Sequence, residues 1–266
     1  MLLVISCLVG FSSESKMVEK KSAPSAENIN LIARAKAVHA SALILDAHAD
    51  IEVPGKPSSY VGRDGLSKVA PSKMRAGGLD AVVMAIAVGP MPRNTAGYAA
   101  AAKLAQTKLE AVRMLAADKA NNSVIVLSTD DLITAHKEGK SALLLGFQNA
   151  LILGTEIDGI NDLYNSGVRV FALTHMGHND FADSSRTLFD GDTGRREPDA
   201  EHGGLSNLGK AAIKKINALG GIMDISQLSS QAALQAIELS ITPVIASHSN
   251  VRALTDVSRN LSDEEI

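Results

Sequence analysis

Six short apolar runs punctuate the chain: "ALILDAH", "GLDAVVMAIAV", "SALLLGFQN", "VRVFALTH", "GGIMDIS" and "TPVIASHS". Each has the length of a strand and is apolar on both faces, the pattern of a parallel strand covered by helices. Between them lie stretches with helical spacing, among them "AGYAAAAKLAQTKLEAVRMLAAD", "GINDLYNSG", "LGKAAIKKINALG" and "QAALQAIELS", and a further helix is predicted over residues 29–42. Strand then helix, repeated, predicts an α/β fold with a parallel sheet. Glycines fall where a helix hands over to the next run ("NSGVRV", "ALGGIMD", "AGGLDAV"), as helix C-caps do. Six βα units do not close an eight-stranded barrel, so an open edge is expected beside the sixth strand.

The polar ends of these runs carry the candidate chemistry. The first ends with Asp46, His48 and Asp50 at every second residue, which places all three on one face of an ideal strand. The third ends in Gln148 and Asn149, the fourth in Thr174 and His175, the fifth in Asp224, Ser226 and Gln227, and the sixth in Ser247, His248 and Ser249. One H-x-D pair alone also suits a strand end that caps the next turn. Recurrence at five of six strand ends points instead to the C-terminal rim, where barrel enzymes build a site from several strands. A long polar stretch, Gly177 to Gly204, follows the fourth strand on that same side, and loops of this length are usually functional or mobile.

Composition narrows the field of partners. The 266 residues are 45% hydrophobic, enough for a large core in one domain of the α/β barrel kind. A net charge of -3, aromatic residues at 3% and no Trp give neither a basic surface nor stacking platforms, which argues against nucleic acid. The single cysteine, Cys7, excludes an internal disulfide. It lies in "MLLVISCLVGF", too short to span a bilayer, which needs about 20 residues, but similar to the end of a signal segment with a lipidated cysteine. Residues 1–28 therefore read as a bacterial export signal and polar linker, with a membrane tether through a Cys7 lipid and a periplasmic or membrane-anchored location. No Lys or Arg precedes the apolar run, which departs from that pattern. Residues 29–266 form the barrel domain.

From about Ala42 to the last residue the chain resembles the membrane (renal-type) dipeptidase family of zinc-dependent peptidases. "DAHAD", "GVRVFALTHMGHNDFADSS", "GLSNLGKAAIKKINALGGIMDIS" and "PVIASHSNVRAL" followed by "RNLSDEE" carry the likeness. It implies a (β/α)8 TIM-type barrel, here with about six units, a zinc site at the strand ends, a short-peptide substrate and often a homodimer. By this resemblance His48 and Asp50 are the paired ligands of a first metal and His248 is a ligand of a second. His175 falls where a histidine contacts the substrate and its tetrahedral intermediate, and Asn179 in the same motif is a substrate-binding candidate. Arg259 stands where an arginine holds the substrate carboxylate, a task its planar fork suits. Asp224 is a catalytic or ligand-orienting candidate, and Asp46 an orienting one.

Three departures from the family pattern matter. Gln148 stands at the bridging glutamate, Gln227 at a second-metal histidine, and the aspartate of a later strand that assists proton transfer has no counterpart up to Ile266. Two dications about 4 Å apart repel by roughly 16 kcal/mol at an effective dielectric of 20. Gln148 offers a carbonyl oxygen but no charge to offset that. One zinc, with a doubtful second site, is therefore expected, and the expected reaction is hydrolysis of dipeptides by a zinc-activated water. Two rivals stay open: another mononuclear amidohydrolase acting on N-acyl amino acids or cyclic amides, and a peptide-binding relative that does not turn over.

Overall fold

The computed structural model describes residues 26–53, 55–56, 58–191 and 194–266. Cys7 and the export segment lie outside the described residues. Two units are distinguished, the first ending at Ser41 and the second running from Ala42 to Ile266. In the first, helix α1 (Ala26–Ser41) replaces the expected span 29–42, and its described side chains are exposed. No described helix is long and apolar enough to cross a membrane.

The second unit is built on six parallel strands. In chain order its elements are β1 (Leu45–Asp50), α2 (Pro71–Gly77), β2 (Ala81–Ala87), α3 (Thr95–Ala117), β3 (Ser123–Ile125), α4 (Thr129–Lys137) and β4 (Ser141–Gln148). There follow α5 (Gly159–Asn165), β5 (Val168–Ala172), the short β6 (Phe189–Asp190) and β7 (Arg195–Arg196), α6 (Asn207–Leu219), β8 (Ile222–Asp224) and α7 (Ser230–Leu239). The large sheet runs β1-β2-β4-β5-β8, with β3 against β4, and β6 pairs with β7 in a separate hairpin. This is an incomplete parallel barrel. β2 and β4 are buried along nearly their whole length, as strands with helices on one side and a packed interior on the other must be. Leu143, Leu145, Phe147, Phe171, Ile213, Ile216 and Met223 lie at the centre of the core.

Three differences from the sequence pattern have physical causes. β3 was not foreseen: it borrows only Ser141 to Leu143 of β4, below the point where β5 takes over at Leu145. The run "TPVIASHS" does not continue as a sixth full strand. It meets β8 in one parallel bridge between Asp224 and Ile245, with Ile245 N donating to Met223 O at 2.9 Å and Ile225 N to Ile245 O at 2.8 Å. Beyond that rung, side chains take the ladder's place: Ser247 N donates to Asp224 Oδ1 at 3.1 Å and His248 N to Ser226 Oγ at 3.1 Å. Finally, β1 slips register against β2 between Asp46 and Ala49. This bulge breaks the simple alternation expected of Asp46, His48 and Asp50, and bulges of this kind re-aim side chains beside sites.

In the stretch Gly177 to Gly204, read as functional or mobile, residues 178–184 and 198–204 are tied together by buried polar groups. The Asp183 carboxylate is fully buried and accepts from Glu201 N, His202 N and Gly204 N at 2.8 to 3.2 Å. His178 accepts from Ser184 N at 3.0 Å and donates from Nε2 to Pro198 O at 2.8 Å. Burial pushes the Asp183 carboxyl pKa up, but the three N–H donors and the nearby His178 outweigh it and the net shift is downward. A carboxyl lowered in the folded state stabilises the fold fully above the ordinary value of about 4 and loses that contribution as pH falls below it. Asp183→Ala leaves buried N–H groups unpaired, each costing about 1–3 kcal/mol, so a loss of about 3 kcal/mol or more is expected in urea unfolding at pH 7. The difference between Asp183→Asn and the parent is expected to shrink as the titration is carried below about pH 4; a gap that stays constant would contradict the assignment.

Candidate metal centre

The rim at the C-terminal ends of the strands gathers most of the residues singled out in the sequence. His48 from β1 and His248 from the segment after α7 stack with ring centroids 3.9 Å apart and planes 28° from parallel. Together with Asp224 at the end of β8 they offer one ligand atom each, and these three atoms lie within 4.8 Å of one another. Zinc sits about 2.1 Å from N and O ligands in a tetrahedral arrangement, so ligand atoms on one ion stand roughly 3.4 Å apart. Closing around a cation takes a change of at most about 1.5 Å between ligand atoms. The donor set, two imidazoles and a carboxylate, suits zinc chemically.

The state of these groups favours ligation. Burial lowers the His48 pKa, against the pull of Asp50, Asp224 and Asp46. Burial and the neighbouring His48 hold His248 down to about 4. Both rings are therefore neutral at neutral pH, with lone pairs free to bind a cation. Hydrogen bonds set which nitrogen of His248 is free. Asp224 Oδ1 accepts from Ser226 N at 2.9 Å and Ser247 N at 3.1 Å, and Oδ2 accepts from Ser247 Oγ. Ser247 Oγ, its own proton engaged, lies 2.7 Å from His248 Nδ1 and accepts from it. Nε2 of His248 is then the acceptor, and the amide nitrogens of Gln148 and Gln227 reach it at 3.3 and 3.0 Å. Asp224 thus fixes the tautomer through Ser247, as outer groups do around metal-binding histidines.

The remaining residues divide. Asp50 lies outside the three-atom group, yet its charge is felt at His48, His175, His248, Tyr60 and Lys108. A cavity of about 190 Å³ opens beside it, lined by Asp46, His48, Asp50, Tyr60, Ser67 and Lys68 among others. Asp46 turns its Oδ1 to the backbone N of His48 at 3.0 Å, positioning the ring's own peptide. His175 is half-buried, its pKa lowered by burial, and its Nδ1 is buried with no partner among the described residues. Gln227 Oε1 is likewise buried and unpartnered, on a residue held at φ 67°, a strained backbone of the kind that collects at functional sites. Arg259 donates to His248 O at 3.1 Å and so sits at the rim.

Asn179 does not face the site. Its amide nitrogen donates to Leu173 O and Asn149 Oδ1, its oxygen accepts from Phe181 N and Ala182 N, and it is buried. It holds the loop's first turn rather than a ligand. Lys108 on α3 was missed in the sequence although it reaches this rim. The signal was present: Leu104, Ala111 and Leu115 on the same stripe pack against the core, and Lys108 is the cation among them.

Comparison with known proteins shows where the chain belongs. The chain is 33% identical over 129 residues to the dipeptidase aclJ of Aspergillus oryzae, a stretch that is 48% of this chain and 28% of that protein. It is 32% identical over 134 residues to the dipeptidase tcpJ of Claviceps purpurea, 50% of this chain and 29% of that protein. Among solved structures, the probable dipeptidase PvdM from Pseudomonas aeruginosa superimposes with a TM-score of 0.80 at 33% identity, over 89% of this chain and 60% of that one. A metallo peptidase from Rhodobacter sphaeroides, solved with a phosphinate mimic of the dipeptide L-Ala-D-Ala, shares the fold at a TM-score of 0.67 and 19% identity, over 84% and 69% of the two chains. The present chain thus spans about three fifths of the PvdM structure. The model of the membrane dipeptidase family, peptidase family M19, matches residues 32–266, and the chain belongs to that family.

Proposed function

We propose that this chain carries the metal-dependent hydrolysis of dipeptides, with a single zinc ion as its cofactor. One observation carries the reading: the ligand atoms of His48, Asp224 and His248 stand within 4.8 Å of one another, at the strand ends of a family fold of dipeptidases. His48, His248 and Asp224 would hold the ion, with Asp50 as the second carboxylate at the rim. Bound there, zinc would lower the pKa of a water toward about 7 and polarise the scissile carbonyl.

The chain's own residues supply the rest. Asp224, through Ser247, keeps the His248 Nε2 lone pair directed at the site. His175, its pKa lowered by burial and its Nδ1 unpartnered among the described residues, would orient the peptide or its oxyanion. Arg259 would receive the substrate's free carboxylate, which restricts substrates to short peptides. Asp50 would supply negative charge that balances the cation and is a candidate to pass a proton.

A second reading, a peptide-binding relative without turnover, is favoured by one contact. The amides of Gln148 and Gln227 both donate to His248 Nε2, the lone pair that a metal requires. Metal content separates the two. Export through residues 1–28 is proposed from sequence alone, and Cys7→Ser is its direct test: the variant is expected to leave the membrane fraction.

Zinc-loaded protein is expected to hold about one equivalent by elemental analysis and to cleave Gly- and Ala-containing dipeptides in preference to N-acyl amino acids and cyclic amides. His248→Ala is expected to lose both zinc and activity. Metal-free protein that still binds dipeptides would favour the binder, and preferred turnover of N-acyl substrates the other amidohydrolase. Exchanging Gln148→Glu together with Gln227→His is expected to raise the zinc content from about one equivalent toward two; two equivalents in the parent would contradict the single-ion site.

A further inference from the structure

Resting on that hydrolase reading, we propose that Lys108 is a further catalytic residue: its ammonium holds the oxyanion formed as water attacks the peptide carbonyl, in place of a second cation.

The placement is unusual for a lysine. Residues 104, 108, 111 and 115 form one stripe of α3, and Leu104, Ala111 and Leu115 pack against the core. A lysine in such a stripe ordinarily runs its stem along the surface and keeps the ammonium in water. Lys108 instead turns to the rim, where Nζ donates to Ala87 O at 2.7 Å. Ala87 ends β2 and is the register partner of Gln148 on β4. Gln148 in turn reaches His248 Nε2 at 3.3 Å, and His248 stacks on His48. The ammonium therefore sits one strand away from the Gln148 amide, on the side of the rim opposite β8.

An ammonium has three N–H donors. Among the described residues Ala87 O is the hydrogen-bond acceptor of Lys108, which leaves donors for a ligand. Burial lowers the Lys108 pKa from its ordinary value, and the negative charge of the nearby Asp50 acts against that lowering and favours the ammonium. The same positive charge acts on His175, whose Nδ1 is buried without a partner. Lys108, with donors to spare, is thus near enough for its charge to act on His175.

Charge explains the substitution pattern. With Gln at 148 and 227 those two positions supply neither the carboxylate nor the imidazole that the family pattern offers a second dication, and a single positive charge needs no bridging carboxylate. In the proposed step the water oxygen bonds to the carbonyl carbon and the carbonyl oxygen takes the π pair as the oxyanion beside Lys108. The pair returns as the C–N bond breaks, and the amine leaves with a proton from the attacking water. A donor fixed at the oxyanion, and not at the ground-state carbonyl, accelerates the step.

The test uses the zinc-loaded full chain and three readouts: kcat and KM for a Gly or Ala dipeptide, the affinity of a phosphinate dipeptide mimic by calorimetry, and zinc content. Lys108→Met keeps the stem's volume. It is expected to lower kcat about 100-fold, with KM changed by less than about threefold. Phosphinate affinity is expected to weaken by about tenfold or more, with zinc content and Tm retained. Lys108→Arg is expected to recover part of both losses. Folded, zinc-loaded Lys108→Met with kcat and phosphinate affinity both within about threefold of the parent would overturn the role of Lys108 alone. If that variant does not fold, Lys108→Gln is read by the same three measures. A parent that binds zinc but cleaves no dipeptide would overturn the hydrolase reading and this inference with it.

Discussion

The lone pair on His248 Nε2 is the constraint around which the rim is arranged. Asp224 accepts from Ser247, Ser247 accepts from His248 Nδ1, and Nε2 is left as an acceptor facing two amides, with the His48 ring stacked on the imidazole's face. A buried acceptor of this kind is costly unless something donates to it or binds it. The amides of Gln148 and Gln227 meet that need in the protein as described, and a cation meets it more strongly. On the proposed reading a metal would compete with these two amides for the lone pair.

The fold serves this arrangement. The parallel sheet brings β1, β4, β5 and β8 to one rim, so residues two hundred positions apart meet without long connections. The last stretch before His248 gives up regular pairing after a single bridge because Asp224 and Ser226 take over its backbone N–H groups. The same two side chains that end the strand also aim the imidazole. Loss of sheet regularity and construction of the site are one event, a common trade at strand ends near functional groups. The described part of the stretch from Gly177 to Gly204 is held for a related reason: Asp183, His178 and Asn179 satisfy backbone groups from inside.

Much of this was legible in the sequence, and the rest failed for identifiable reasons. Strands β1, β2, β4, β5 and β8 and the long helix α3 follow from apolar runs and helical spacing. The (β/α) barrel follows from their alternation, and the convergence of His48, Asp224 and His248 from the polar ends of those runs. β3 escaped because three residues with one partner carry almost no periodic signal. The bulge after Asp46 escaped because alternation assumes a regular ladder. The resemblance makes Asp50 a metal ligand beside His48; in the structure Asp224 is the carboxylate grouped with His48 and His248, and the charge of Asp50 acts on His48. Asn179 reads as a site residue only until its four backbone and side-chain partners are seen. Lys108 was visible as a cation in an apolar stripe, but only the fold says that the stripe ends at the rim.

The most direct test is anomalous X-ray diffraction at the zinc edge on crystals of the zinc-loaded chain. The account predicts one strong peak about 2.1 Å from a ring nitrogen of both His48 and His248, with a carboxylate oxygen as a further ligand. A second peak of equal height between Gln148 and Gln227, or a single peak away from the two imidazoles, would contradict it.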